Sequence, residues 1–79
     1  MKRHTTDTFA DRLKKAMLDA GYSRDGQPDI LHLAYETRLP VASLHGYVYQ
    51  GTMPKDDTMR TLARVLAVTP GWLRYGDTV

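Results

Sequence analysis

LAYETRLPVASLHGYVYQG, residues 33–51, divides at Pro40 into two short helical patterns. Leu33 and Ala34 fall on the inner side of the first, while Leu44, Tyr47 and Val48 stand at i, i+3 and i+4 and give the second an apolar stripe. Leu39 bridges the two. Between them Thr37, Arg38, Leu39 and Pro40 form a corner, because Pro40 has no N–H to donate and its fixed φ suits the opening turn of a helix. The second helix then turns Val41, Ala42, Ser43, His45, Gly46, Tyr49 and Gln50 outward. A helix seated on another helix, with a low, uncharged outer face, has the shape that enters a DNA major groove.

Downstream, residues 51–54, GTMP, read as a loop, and Lys55 or Asp56 starts a further helix with acidic residues at its positive end. Met59, Leu62, Ala63 and Leu66 are its inward stripe. Thr69 and Pro70 then cap and open a last short helix over residues 71–75, which Gly76 ends. Trp72 and Leu73 either complete the core or, with Leu73, Tyr75 and Val79 left outside, form a small apolar patch between two copies.

Upstream, residues 22–29, YSRDGQPD, are dense in turn formers and read as a loop. Pro28 fits the first turn of the following helix, which runs to about residue 38 with Ile30, Leu33, Ala34 and Thr37 inward and Leu31 and Tyr35 at its edges. Residues 8–20 form the first helix: Thr8 and Asp11 have capping-box spacing, and Phe9, Leu13, Ala16, Met17 and Ala20 line one face, with Gly21 as the stop. Arg12, Lys14 and Lys15 are expected on its outer side, as a solvated face first and as phosphate contacts second. Residues 1–7 carry Lys2, Arg3 and His4 with nothing apolar after Met1, which makes them either a basic arm along phosphates or a frayed terminus.

With these residues in view, the chain resembles the lambda-repressor-like helix-turn-helix family, of Cro/CI or XRE type, and its phage-repressor branch in particular. The likeness lies in Leu33-Ala34, Leu44, Tyr47, Gly51 and Pro54, then Leu62-Ala63, Leu66-Ala67-Val68-Thr69, Trp72-Leu73 and Gly76. It covers about residues 9 to 76 and rests on order and spacing, since no single match is specific. The resemblance implies an all-α, compact bundle of about five short helices, with residues 8–79 as one DNA-binding domain. It further implies a phage or prophage-type repressor that binds a palindromic operator in double-stranded DNA as a homodimer. Three departures stand out: Ile30 occupies the place of a DNA-contacting Gln, Arg38 stands where the turn often has Gly, and no Lys or Arg lies between Pro40 and Gln50. A non-glycine residue at positive φ costs about 1 kcal/mol or more, so the corner at Arg38 either carries that strain or is reshaped.

The expected base-reading set is therefore Val41, Ala42, Ser43, His45, Gly46 and Gln50. Ser43, His45 and Gln50 supply hydrogen bonds, Val41 and Ala42 pack on thymine methyls, and Gly46 allows close approach. Lys2, Arg3, Arg38 and Tyr49 are the expected backbone contacts, and Leu73, Tyr75 and Val79 the dimer contacts. The alternative is a protein–protein interaction module on the same fold, which the low charge of the outward helix favours.

Seventy-nine residues with a formal charge of +2 and a pI near 9.1 permit nucleic-acid binding without demanding it. The chain has no cysteine, which removes disulfides and thiolate chemistry and fits a cytoplasmic location. No apolar run reaches the roughly 18 residues of a membrane span. His32 and Glu36 share a helix face, but two ligands make no metal site, and no nucleophile motif, glycine-rich phosphate loop or HExxH is present. We therefore expect no enzyme activity, no cofactor, no metal and no small-molecule substrate.

Overall fold

Phe9, Leu13, Ala16 and Met17 recur at helical spacing and become the buried stripe of α1 (Phe9–Asp19) in a computed structural model that describes residues 8–76. Thr8 caps this helix, its hydroxyl oxygen accepting from the Asp11 N–H at 3.1 Å. At the other end Gly21 takes φ +90°, which lets the Tyr22 N–H reach back to the Met17 carbonyl at 2.7 Å and close the helix. The expected arm residues Lys2 and Arg3, and the dimer residue Val79, lie outside the described residues.

Residues 22–29, expected to be a loop, form a small hairpin. Strand β1 (Ser23–Arg24) pairs antiparallel with β2 (Gln27–Pro28), Ser23 opposite Pro28 and Arg24 opposite Gln27. Asp25 at φ +55° and Gly26 at φ +79° make the two-residue turn, the left-handed pair that matches the twist of a tight hairpin. Pro28 consequently ends a strand and does not open the next helix. Asp29 takes that place, its carboxylate accepting from the His32 N–H at 3.1 Å, and α2 (Ile30–Thr37) follows.

Leu33, Ala34 and Thr37 are the buried face of α2. Leu31 and Tyr35, expected to pack at its edges, are instead 67% and 81% exposed. The corner to α3 (Val41–Tyr49) is tight. Arg38 accepts the left-handed conformation outright, φ +62°, and its N–H caps α2 by donating to the Ala34 carbonyl at 2.8 Å. The turn is therefore not reshaped around a non-glycine residue; the strain of about 1 to 2 kcal/mol is carried by the packing on either side. The buried Thr37 hydroxyl is satisfied twice, donating to the Leu33 carbonyl at 2.8 Å and accepting from the Leu39 N–H at 3.3 Å. Pro40, at φ −62° and ψ 140°, stands just before α3, and its carbonyl accepts from the Leu44 N–H at 3.1 Å.

Leu44 and Val48 seat α3 against α1 and α2. Helix α4 (Asp56–Leu66) buries Met59, Leu62, Ala63 and Leu66, and Asp56 and Asp57 lie in its first turn, where the helix dipole favours anions. Thr69 caps α5 (Pro70–Tyr75) by accepting from the Trp72 N–H at 3.1 Å, and Gly76 at φ +80° ends it. Leu13, Met17, Leu33, Leu44, Met59, Leu62 and Leu73 are the large, fully buried side chains around which the five helices close. The fold of the described residues is thus mostly helical, with the hairpin as a minor addition. None of these helices is long and apolar enough to cross a membrane.

Arg12 and Leu73 join the first and last helices. Arg12, expected in solvent, is 7% exposed; its Nε donates to the Leu73 carbonyl at 3.0 Å and its Nη2 to the Arg74 carbonyl at 2.7 Å. It thereby serves the carbonyls at the end of α5, which a helix cannot pair internally. Leu73 is completely buried, so it leaves the expected dimer contacts and belongs to the core. Arg74 forms the outer clasp, with Nη2 at 3.0 Å from the Asp56 carboxylate and donating to the Pro54 carbonyl at 3.2 Å.

Candidate nucleic-acid interface

Burial of Leu44 and Val48 fixes which side of α3 is left outward. Val41, His45 and Tyr49 follow at i, i+4 and i+8 and form one exposed row along the helix. The His45 and Tyr49 rings pack in a tilted contact, their centroids 4.8 Å apart and their planes inclined at 49°. Ala42 and Gln50 are exposed beside this row, and Ser43 and Gly46 are half-buried. These side chains therefore share one surface, as expected, although not all are equally open.

Gly46 has a local role. A side chain built there would meet the Thr52 hydroxyl at 3.5 Å and the Gln50 side-chain oxygen at 3.6 Å, and the Thr52 N–H donates to the Gly46 carbonyl at 3.2 Å. The space over Gly46 is thus used by the loop that leaves α3. Gly46 is half-buried, and a methyl there would lie at ordinary contact distance from Thr52 and Gln50.

No side-chain cap closes the first turn of α3, because Pro40 precedes it. The backbone N–H groups of that turn and the positive end of the helix dipole are therefore available to an external acceptor, and phosphate is the acceptor such ends suit. Arg38 is exposed at the same corner. At the opposite end a second cation arrives from another element, the Lys14 ammonium of α1 lying 6.0 Å from the centroid of the Tyr49 ring. The uncharged face is bracketed by two cations.

The sequence pointed to Arg38 but favoured a solvated face over phosphate contact for Lys14, because nothing local links residue 14 to residue 49; their proximity comes from the packing of α1 on α3. Tyr75, the remaining described residue of the expected dimer contacts, is 68% exposed, with the Arg74 guanidinium 5.8 Å from its ring centroid. His32, weighed as a metal ligand, makes a tilted ring contact with Tyr22, the centroids 4.5 Å apart. Among the described residues no group of three or more His, Cys, Asp or Glu side chains is placed to hold a metal ion. No family model matches the chain, and no curated protein or solved structure matches it.

Ser43, His45 and Gln50 present hydrogen-bonding groups, Val41 and Ala42 present small apolar surface, and the charge sits at the rim.

Proposed function

We propose that the chain is a sequence-specific DNA-binding transcriptional regulator, a repressor of the lambda-repressor-like kind, in which α2 and α3 act as the helix-turn-helix and α3 reads the major groove. The observation that carries this reading is the row Val41, His45 and Tyr49 on a nine-residue helix seated by its other face, with Arg38 and Lys14 at its two ends. Uncharged readers flanked by cations divide the labour as protein–DNA interfaces do, since phosphate contacts set position and base contacts set sequence. The function is binding without catalysis or cofactor, in the cytoplasm. A selection of bound duplexes from a random library, followed by a gel shift that includes the promoter of its own operon, tests it. A recovered consensus that outcompetes random DNA supports the reading, and selection of no consensus refutes it.

Two copies are part of the proposal. One small domain reads few base pairs, whereas two copies one helical turn apart on a palindrome multiply specificity. With Leu73 in the core, the apolar contact on α5 narrows to Tyr75. Sedimentation at micromolar concentration is expected to give a mass near twice the 9.0 kDa of the chain, shifted toward one copy by Tyr75→Glu. A single-chain mass both free and on DNA refutes the dimer.

A second reading has one observation in its favour. Leu31 and Tyr35 stand exposed one turn apart on α2, and with the uncharged α3 they suit a protein-binding module. The same gel shift separates the two.

A further inference from the structure

On the DNA-binding reading above, we infer that Lys14 is a phosphate-contacting residue of the interface, carried on α1 and held in place by the Tyr49 ring of α3. Between Pro40 and Gln50 the chain has no Lys or Arg, so a duplex seated on α3 must find positive charge on neighbouring elements. That charge matters because phosphate neutralisation supplies most of the affinity that is independent of sequence. Lys14 is the cation that packing brings to the Tyr49 end of the row. Its ammonium lies at the outer limit of cation–π reach of the Tyr49 ring, at 6.0 Å, and that ring in turn makes a tilted contact with His45 at 4.8 Å. The row Val41, His45, Tyr49 therefore continues past the end of α3 onto α1.

The direction of this row decides what Lys14 meets. Recognition helices set their N-terminal residues against base edges, which leaves the C-terminal end beside the groove wall, where the sugar–phosphate backbone runs. Tyr49 and Lys14 occupy that end. The partner Lys14 has in the free protein is easily displaced: the Asp11 carboxylate is 3.9 Å away, and both side chains are more than a third open to solvent or close to it, at 38% and 35%. An exposed pair of that length contributes little, and a phosphate oxygen replaces it. Lys15 provides the contrast, since its ammonium is bonded to Asp19 at 2.9 Å, one turn further along α1.

The experiment is the salt dependence of binding to a short random-sequence duplex, measured for the wild type, Lys14→Gln, Lys14→Arg and Lys15→Gln, with thermal unfolding of each to verify the fold. Loss of one phosphate contact lowers the slope of log K against log salt by about 0.9. Lys14→Gln is expected to show that decrease, so that a fourfold rise in salt shrinks the wild-type advantage by about 3.5-fold. Lys14→Arg and Lys15→Gln are expected to keep the wild-type slope. If the wild type binds but Lys14→Gln leaves the slope unchanged, or Lys15→Gln lowers it equally, the assignment of Lys14 is overturned while the DNA-binding reading stands. A wild type that binds no duplex at low salt overturns both.

Discussion

Replacing Arg12 by Met tests how the end of α5 is held to the first helix. The substitution keeps most of the aliphatic stem, and so most of the packing, but removes the donors that reach the Leu73 carbonyl at 3.0 Å and the Arg74 carbonyl at 2.7 Å. The guanidinium also lies against the helix-ending glycine: a side chain built on Gly76 would come within 3.2 Å of Arg12 Nη1. Hydrogen bonds to a charged group contribute about 1.5 to 3 kcal/mol each. Two of them, shared on one side chain and not fully additive, put the cost of Arg12→Met at about 3 kcal/mol. In a domain of this size each kcal/mol moves the midpoint by about 4 to 8 °C, so Tm is expected to fall by about 12 to 24 °C. Thermal unfolding followed by circular dichroism measures it. Arg12→Lys, which keeps the charge but not the planar fork, is expected to fall between the two. A Tm for Arg12→Met within a few degrees of wild type would refute the reasoning and return Arg12 to the role of a surface cation.

Two further substitutions act on backbone conformation. Arg38→Gly relieves a left-handed residue at φ +62°, a gain of about 1 to 2 kcal/mol that the looser unfolded chain reduces to roughly 0.5 to 1; a raised urea midpoint with weaker DNA binding is expected, and a lowered midpoint contradicts it. Gly46→Ala places a methyl at ordinary contact distance from Thr52 and Gln50 within α3 and is expected to stabilise the domain by about 0.5 to 1 kcal/mol while changing DNA affinity less than about twofold. A destabilised Gly46→Ala variant, or one that binds DNA much more weakly, would show that the space over Gly46 is needed.

The helices were legible in the sequence because each carries its own evidence. Met59, Leu62, Ala63 and Leu66 of α4, and Leu33, Ala34 and Thr37 of α2, are buried as their spacing implied, and Thr8 and Thr69 cap the helices they precede. The hairpin at residues 23–28 was missed although Asp25-Gly26 is a strong tight-turn pair, because two-residue strands are too short to show alternation. Arg12 lies three residues after Phe9 and four before Ala16, on the apolar face by period. Its charge argued for solvent, and the distant carbonyls of Leu73 and Arg74, which no local pattern foretells, are among the partners that accompany its burial. Leu31 and Tyr35 show the reverse error, apolar side chains that nothing in the described chain covers. The candidate interface was legible as one face of α3 from the inward register of Leu44 and Val48. Its charge was not, since Lys14 reaches Tyr49 through tertiary packing alone.

The central claim is that the outward face of α3 reads base sequence. The measurement that tests it most directly is the ratio of affinities for a selected cognate duplex and its scrambled counterpart, in Ser43→Ala, His45→Ala and Gln50→Ala, over a range of salt concentrations. Where a base contact is lost, the cognate affinity is expected to fall by roughly 1 to 3 kcal/mol with scrambled DNA almost unaffected, so the ratio collapses. A side chain that touches phosphate alone lowers both affinities together. If all three substitutions leave the cognate-to-scrambled ratio at its wild-type value, α3 is not the reading helix, and the account of this surface as a DNA reader is contradicted.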